Sequence, residues 1–281
     1  MTAGESPPVK WADLGIRAAS AAILVPFVLL DVWAGGGWFR LMVALLAVLM
    51  AYEWTAIVHR SSPTQFALHA AAAIAGAVIP EDSGATIAIT AIIVLTLLGA
   101  GVTRFKGTPL TLWSISGIPY VGLSAVALVV LRDGGALGVW AVLWVMAIVW
   151  SADTFAYFAG RILGGPKLAP AISPKKTWAG LGGAMAGAAA ASLIFTAAAG
   201  LGAGAILAFI ALGLALVEQA GDLFKSAMKR QYGVKDTGHL IPGHGGVIDR
   251  VDGLVAVAMA AAVLGSFRAG TPSAATGVLA W

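Results

Sequence analysis

The sequence predicts an all-α, polytopic integral membrane protein of about nine transmembrane helices with its N-terminus in the cytoplasm. Three observations point there. Of 281 residues, 59% are hydrophobic and 11% are charged, whereas soluble domains carry roughly 25% charged residues. Apolar runs recur from end to end, many of spanning length. Lysine and arginine are divided unequally between alternate connectors, as the positive-inside rule requires of a membrane protein.

A spanning helix needs about 20 mostly apolar residues. Nine segments are candidates: 15–33, 38–58, 66–80, 85–103, 114–131, 137–159, 178–200, 203–224 and 253–268. The third is short and contains His69, and the ninth is short as well. Ahead of the first lies "MTAGESPPVKWADLG", polar and without a signal peptide's arrangement of charge, apolar core and cleavage site, so the first run is expected to remain as a membrane helix. Short polar or Gly/Pro stretches ("HRSSPTQ", "PEDSG", "RFKGTPLTLW", "RDGG") separate most of the runs. Two connectors are longer and basic: 160–176, and the stretch from Lys225 to Asp252. Nine crossings from a cytoplasmic N-terminus put fourteen cations inside: Lys10, Arg17, Arg60, Arg104, Lys106, Arg161, Lys167, Lys175, Lys176, Lys225, Lys229, Arg230, Lys235 and Arg250. Three fall outside: Arg40, Arg132 and Arg268. Both long connectors then face the cytoplasm. The chain has no cysteine, which excludes disulfides, thiolate metal sites and thiol nucleophiles.

Charge gathers at the end of the eighth run and just beyond it. In "LVEQAGDLFKSAMKRQYG", helical spacing puts Asp222, Ser226, Lys229 and Arg230 on neighbouring turns of one face, with Lys225 close by. Asp222 and Glu218 lie where an apolar run ends, and a carboxylate at membrane depth is costly and usually functional. The following loop, "QYGVKDTGHLIPGHGGVIDRVDG", has glycines at 238, 243, 245 and 246 and Pro242, which would let backbone amides turn toward an anion. Lys229, Arg230, Lys235 and Arg250 can neutralise several phosphate charges. Asp249 and Asp252, three apart where a helix begins, share a face, and carboxylates beside a basic loop suit a hard divalent cation such as Mg²⁺.

Three further places hold polar groups. Asp153 lies inside the sixth apolar run with Tyr157 one turn later, an arrangement expected to face a polar cavity. Lys175, Lys176 and Thr177 stand at the start of the seventh helix, where Thr177 would cap it and phosphate would be attracted; a positive-inside anchor explains the lysines equally well. Glu53 in the second run is either a site residue or a structural partner. His59 and His69 are expected at the membrane interface. The glycines of "GLGGAMAG" read as close helix packing rather than a nucleotide loop.

With these residues in place the chain resembles the phosphatidate cytidylyltransferases, also called CDP-diacylglycerol synthases. The family's C-terminal signature runs Ser-x-hydrophobic-Lys-Arg, four residues, Lys-Asp, a small residue, then Pro-x-His-Gly-Gly and Asp-Arg-x-Asp. Residues 226–252, "SAMKRQYGVKDTGHLIPGHGGVIDRVD", carry every fixed position. The likeness continues through "GDL" (221–223), "SPKKT" (173–177) and "DTFAYFAGR" (153–161), about the last 130 residues in detail. Two departures are Lys225, where relatives often have an acid, and Ala179, where they often have Glu or Gln.

The resemblance implies a reaction in which CTP and phosphatidate give CDP-diacylglycerol and pyrophosphate. It implies Asp222 and Asp249 as Mg²⁺ ligands, with Asp252 and Asp153 behind them and a second cation as an option. Lys229, Arg230, Lys235 and Arg250, with Lys175 and Lys176, would hold phosphates. His244 would orient a phosphate or assist pyrophosphate departure, and Ser226 would help bind metal or substrate. Residues 1–131 then form an N-terminal helical region and 132–281 the catalytic region, with cytoplasmic loops 160–177 and 225–252, in one membrane unit of the bacterial inner membrane. Membrane lipids are partners, a homodimer is left open, and no nucleic acid is expected. Because phosphatidate keeps its acyl chains in the bilayer, it is expected to reach the site laterally. Small residues such as Gly213, Gly221 and Gly253 would leave a groove there, and close packing explains them as well. A transporter would instead spread polar groups through the membrane depth in two related halves, and a polyprenol kinase would lack the full signature.

Overall fold

The computed structural model describes residues 11–78, 84–240 and 245–281. Over these the chain is an all-α helical bundle: α1 (Trp11–Ala34), α2 (Gly36–Val58), α3 (Pro63–Ala77), α4 (Gly84–Phe105), α5 (Leu112–Arg132), α6 (Gly138–Ile162), α7 (Trp178–Ala198), α8 (Gly204–Gln231), α9 (Ile248–Ala269) and a short α10 (Ala274–Leu279). Seven helices among the described residues are long and apolar enough to cross a membrane, and Ala22–Ala34 is a shorter apolar helix. α3, with 15 residues, rises about 22 Å at 1.5 Å per residue, short of the roughly 30 Å hydrocarbon core. The chain is a polytopic membrane protein.

The packing surfaces follow from side-chain size. Lipid gives helices no hydrophobic reason to associate, so small residues that admit close approach mark the contacts. On α7, Gly180, Gly183 and Gly187 face α6. A methyl on Gly183 would stand 2.7 Å from the Phe155 carbonyl oxygen, and one on Gly187 would stand 2.6 Å from the Phe155 ring. This bears out helix packing as the role of "GLGGAMAG". At Gly221 and Gly253 the same test favours close packing over a groove, while a methyl on Gly213 would meet nothing within 4 Å. A methyl on Gly221 would meet Ala256 Cβ at 2.6 Å and one on Gly253 would meet Glu218 Cγ at 3.0 Å. Those two glycines close α8 onto α9.

Two helices begin or end away from their apolar runs. α8 continues through Gln231 and α9 starts at Ile248, because a helix end in headgroup and water tolerates charge that hydropathy alone would exclude. Asp222, Ser226, Lys229, Asp249 and Asp252 are therefore all helical. Between α6 and α7 the chain forms a small antiparallel hairpin, β1 (Lys167–Ala169) and β2 (Ser173–Thr177), which the sequence did not suggest. Thr177 caps α7 as expected, its hydroxyl accepting from the Gly180 amide at 3.0 Å.

An aromatic stack ties the first half of the bundle to the second. Phe224 of α8 lies against Trp113 and Tyr120 of α5 and Trp54 of α2, with centroid separations of 5.0, 6.0 and 6.2 Å. At the opposite helix ends the three arginines assigned outside are all engaged. Arg40 pairs with Asp133 at 2.6 Å, Arg132 Nη2 donates to the Trp33 carbonyl at 3.0 Å, and the Arg268 guanidinium stacks 3.5 Å above Trp281. His69 is fully buried within the protein, its Nδ1 donating to the Gln65 carbonyl at 2.7 Å, with the His59 ring 5.3 Å away.

Candidate active site

α8 supplies a polar stripe at positions 218, 222, 225 and 229, the i, i+4, i+7, i+11 spacing that keeps side chains on one helix face. β2 supplies Lys176. Because strand side chains alternate, Lys176 turns inward and Lys175 turns out to solvent. The first turn of α9 supplies Asp249 and Asp252, three residues apart.

These groups form one continuous network. Lys176 Nζ donates to Gln219 Oε1 at 2.7 Å and pairs with Asp222 at 2.5 Å. Gln219 in turn donates to Glu218 at 2.6 Å, and the Asp153 carboxyl of α6 lies beside Glu218. Lys225, whose side chain is 8% exposed, sits among three aspartates: its ammonium is 2.6 Å from Asp252, 2.9 Å from Asp222 and 3.5 Å from Asp249. Lys229 pairs with Asp249 at 2.6 Å. Buried charges persist where each is paired and hydrogen-bonded. From Lys176 through Asp222, Lys225 and Asp249 to Lys229 bases and acids alternate, whereas Asp153 and Glu218 are two acids side by side.

The loop before α9 is held by a residue far away in sequence. Glu53 of α2, 1% exposed, accepts hydrogen bonds from the Val247 amide at 2.7 Å and the Ile248 amide at 2.9 Å. It thus caps the N-terminus of α9, where unpaired amides and the helix dipole favour an anion. The Thr237 hydroxyl lies 3.0 Å from both Glu53 and Asp249, and the Thr237 amide donates to Asp249 at 2.7 Å. Glycine is needed for this approach: a methyl on Gly238 would stand 2.5 Å from Glu53 Oε1, and one on Gly246 would stand 2.7 Å from the Gly238 nitrogen. The anion that these glycines close upon is thus a carboxylate of the protein itself.

The structure brings together Asp222, Asp249, Asp252, Lys176, Lys229 and, through Glu218, Asp153. Of the other candidates, Arg230, Lys175 and Lys235 stand outside this network. Arg230 is exposed and its Nε donates to the Ile172 carbonyl at 3.2 Å, tying α8 to the hairpin turn. Lys175, Lys235 and Arg250 are exposed at the rim. Ser226 lies partly buried on the stripe's flank, and His244 lies outside the described residues. Sequence reasoning left Glu53 undecided and passed over Gln219 and Thr237. Its one signal for Glu53 was an acid interrupting an apolar run. The aspartates are spaced around an ammonium: among the described residues no trio of acidic or imidazole side chains already stands at metal-ligand spacing.

A membrane-protein bundle with a network of interleaved carboxylates and lysines at one end of its helices is suited to handling phosphate esters. The sequence model of the Cytidylyltransferase family matches residues 15–267, and the chain belongs to that family. It is 39% identical over 257 residues to a protein of Brucella abortus biovar 1 (strain 9-941) named phosphatidate cytidylyltransferase, covering 88% of this chain and 91% of that one. A Rickettsia bellii protein of the same name is 40% identical over 143 residues, 47% of this chain and 61% of its own. One from Haemophilus influenzae is 45% identical over 124 residues, 42% and 43% of the two chains.

Proposed function

We propose that this chain transfers CMP from CTP to phosphatidate, giving CDP-diacylglycerol and pyrophosphate for phospholipid biosynthesis. The observation that carries this reading is the Asp222–Lys225–Asp249–Lys229 network at a membrane boundary, in a chain of the cytidylyltransferase family. In the reaction a phosphate oxygen of the lipid forms a bond to the α-phosphorus of CTP. The bond from that phosphorus to the bridging oxygen breaks, and pyrophosphate leaves with the electron pair. The nucleophile is already an anion, so no strong base is required. The obstacle is the approach of two polyanions and the charge on the leaving group, which cationic groups fixed in place relieve.

Lys229 and Lys176 stand where they can exchange carboxylate partners for phosphate oxygens, with Arg230, Lys235, Arg250 and Lys175 as an outer basic rim. An all-oxygen donor set around an existing cation position fits a hard divalent ion. Asp222 and Asp249 would hold Mg²⁺, with Asp252 and Asp153 in reserve and room for a second cation once the Lys225 ammonium shifts. The ion would supply charge neutralisation on the phosphates. Ser226 and His244 keep their expected substrate-side roles in this reading. Purified protein given CTP, phosphatidate and Mg²⁺ should release pyrophosphate only when the lipid is present; lipid-independent release would contradict the reading.

We place the network on the cytoplasmic side of a bacterial inner membrane, because fourteen of the seventeen lysines and arginines are assigned to that face. A topology reporter inserted after Lys167 should read cytoplasmic and one at the C-terminus should read external. A reversed pair would overturn this orientation.

A further inference from the structure

At the same membrane face, on the N-terminal side of the bundle, the α2–α3 turn, the α4–α5 connector and the end of α8 enclose a cavity of about 440 Å³. Two charged side chains line it, Arg60 and Lys106, and no carboxylate does. Neither cation forms an ion pair among the described residues; Lys106 donates to the Ser62 hydroxyl at 3.0 Å. His59 is a neutral lining group, pushed down to about 4 by burial and by Lys106. Arg60 and Ser61 hold φ values of 49° and 58°, a conformation costly for residues other than glycine.

The depth of the cavity has the opposite need. Gln65 is 2% exposed. Its Nε2 is committed to the Gly99 carbonyl at 2.8 Å and the Thr103 hydroxyl at 2.9 Å, while its Oε1 is buried without a partner. Buried polar atoms are normally paired, and a carbonyl oxygen can be satisfied only by a donor. The connector that forms the wall is apolar on its outside: Phe105 is 95% exposed, Leu112 64% and Leu110 46%. In a membrane that surface meets acyl chains.

We propose that this cavity binds the headgroup of an anionic phospholipid that carries free hydroxyls. Its phosphodiester lies between Arg60 and Lys106, a headgroup hydroxyl donates to Gln65 Oε1, and its acyl chains run along Phe105 and Leu112. Basic pockets between transmembrane helices on this face are suited to such headgroups. A choline headgroup offers neither net negative charge nor a hydroxyl. The cavity stands apart from the acid network. His59 lies six residues beyond Glu53 on α2, about 9 Å along the helix axis, although Tyr232 in its lining follows Lys229 by one turn.

The test is native mass spectrometry of the full chain, stripped of lipid in detergent, with phosphatidylglycerol, phosphatidylcholine or glycerol phosphate added. The wild type should retain one tightly held phosphatidylglycerol and no phosphatidylcholine. R60Q/K106Q should bind it roughly 30-fold more weakly and K106Q about fivefold, at the usual strength of one basic residue near a lipid phosphate. Lys106 is exposed, so K106Q serves if the double variant does not fold. R60K/K106R should retain the lipid, as should D249N with Mg²⁺ and CTP present. Equal retention by wild type and K106Q would overturn the proposal. So would loss of the lipid in D249N or its displacement by CTP, either of which assigns the headgroup to the acid network. Glycerol phosphate bound as tightly as the lipid would also overturn it, in favour of a soluble phosphate ester.

Discussion

The two halves of the bundle hold their polar groups in different ways. From α6 onward they are many and connected: Glu218, Gln219, Lys176, Asp222 and Lys225 touch one another in series, and Lys225 reaches both Asp249 and Asp252. In α2 to α5 they are sparser, and Glu53 is the buried acid there among the described residues. Yet Glu53 caps α9 and meets Thr237, so the half that carries the charged signature has its loop fixed by the half that does not. Chemistry-bearing residues cluster in sequence, while the group that holds them in register comes from about 190 positions away. Regarding α2 to α5 merely as a membrane anchor misses this.

Substitutions can separate the two contributions. The largest effect is expected in the network itself. Asp249→Asn and Asp222→Asn should each lower turnover on the order of 10²–10³-fold, the usual cost of one preorganised electrostatic group, with monodisperse protein still recovered in detergent. Near-normal turnover in either variant would remove that aspartate from the mechanism.

A smaller loss tests the N-terminal half. Glu53→Gln keeps the shape and removes the charge that accepts the Val247 and Ile248 amides. Hydrogen bonds to a charged group contribute about 1.5–3 kcal/mol, so turnover should fall roughly 10- to 100-fold. Limited proteolysis within 237–248 should quicken as well. A Glu53→Gln enzyme with wild-type turnover and proteolysis would return α2 to an anchoring role.

The smallest effect concerns Lys225, whose ammonium sits among the aspartates assigned to the metal. If ammonium and Mg²⁺ compete for those oxygens, Lys225→Gln should lower the Mg²⁺ concentration for half-maximal activity. A contact of about 1 kcal/mol corresponds to roughly fivefold. An unchanged or increased Mg²⁺ requirement would show that the two cations do not share the site.

How much of this could be read from the sequence depends on the range of each contact. The α8 face was legible in part. Arg230, expected on that face, is exposed, and Ser226 only flanks the stripe, but helical spacing joined Asp222 and Lys229 with Lys225 close by. Thr177's cap and the glycines of α7 were legible for the same local reason. The hairpin was not, since strands of three and five residues among prolines and glycines leave no periodic pattern, and so the opposite orientations of Lys175 and Lys176 were hidden. The partner of Glu53 was invisible because nothing local relates α2 to the amides that start α9. Gly221 and Gly253 stayed ambiguous because a small residue permits both a groove and a close contact, and only the facing helix decides which.

The central claim is nucleotidyl transfer at this network, and the fate of the phosphates of CTP tests it most directly. Purified protein should be incubated with phosphatidate, Mg²⁺ and CTP labelled with ³²P at either the α or the γ position. The account predicts that α-label enters the lipid product, that γ-label appears in pyrophosphate, and that excess chelator abolishes both. Label from the γ position in the lipid would make the reaction a kinase transfer and contradict the account.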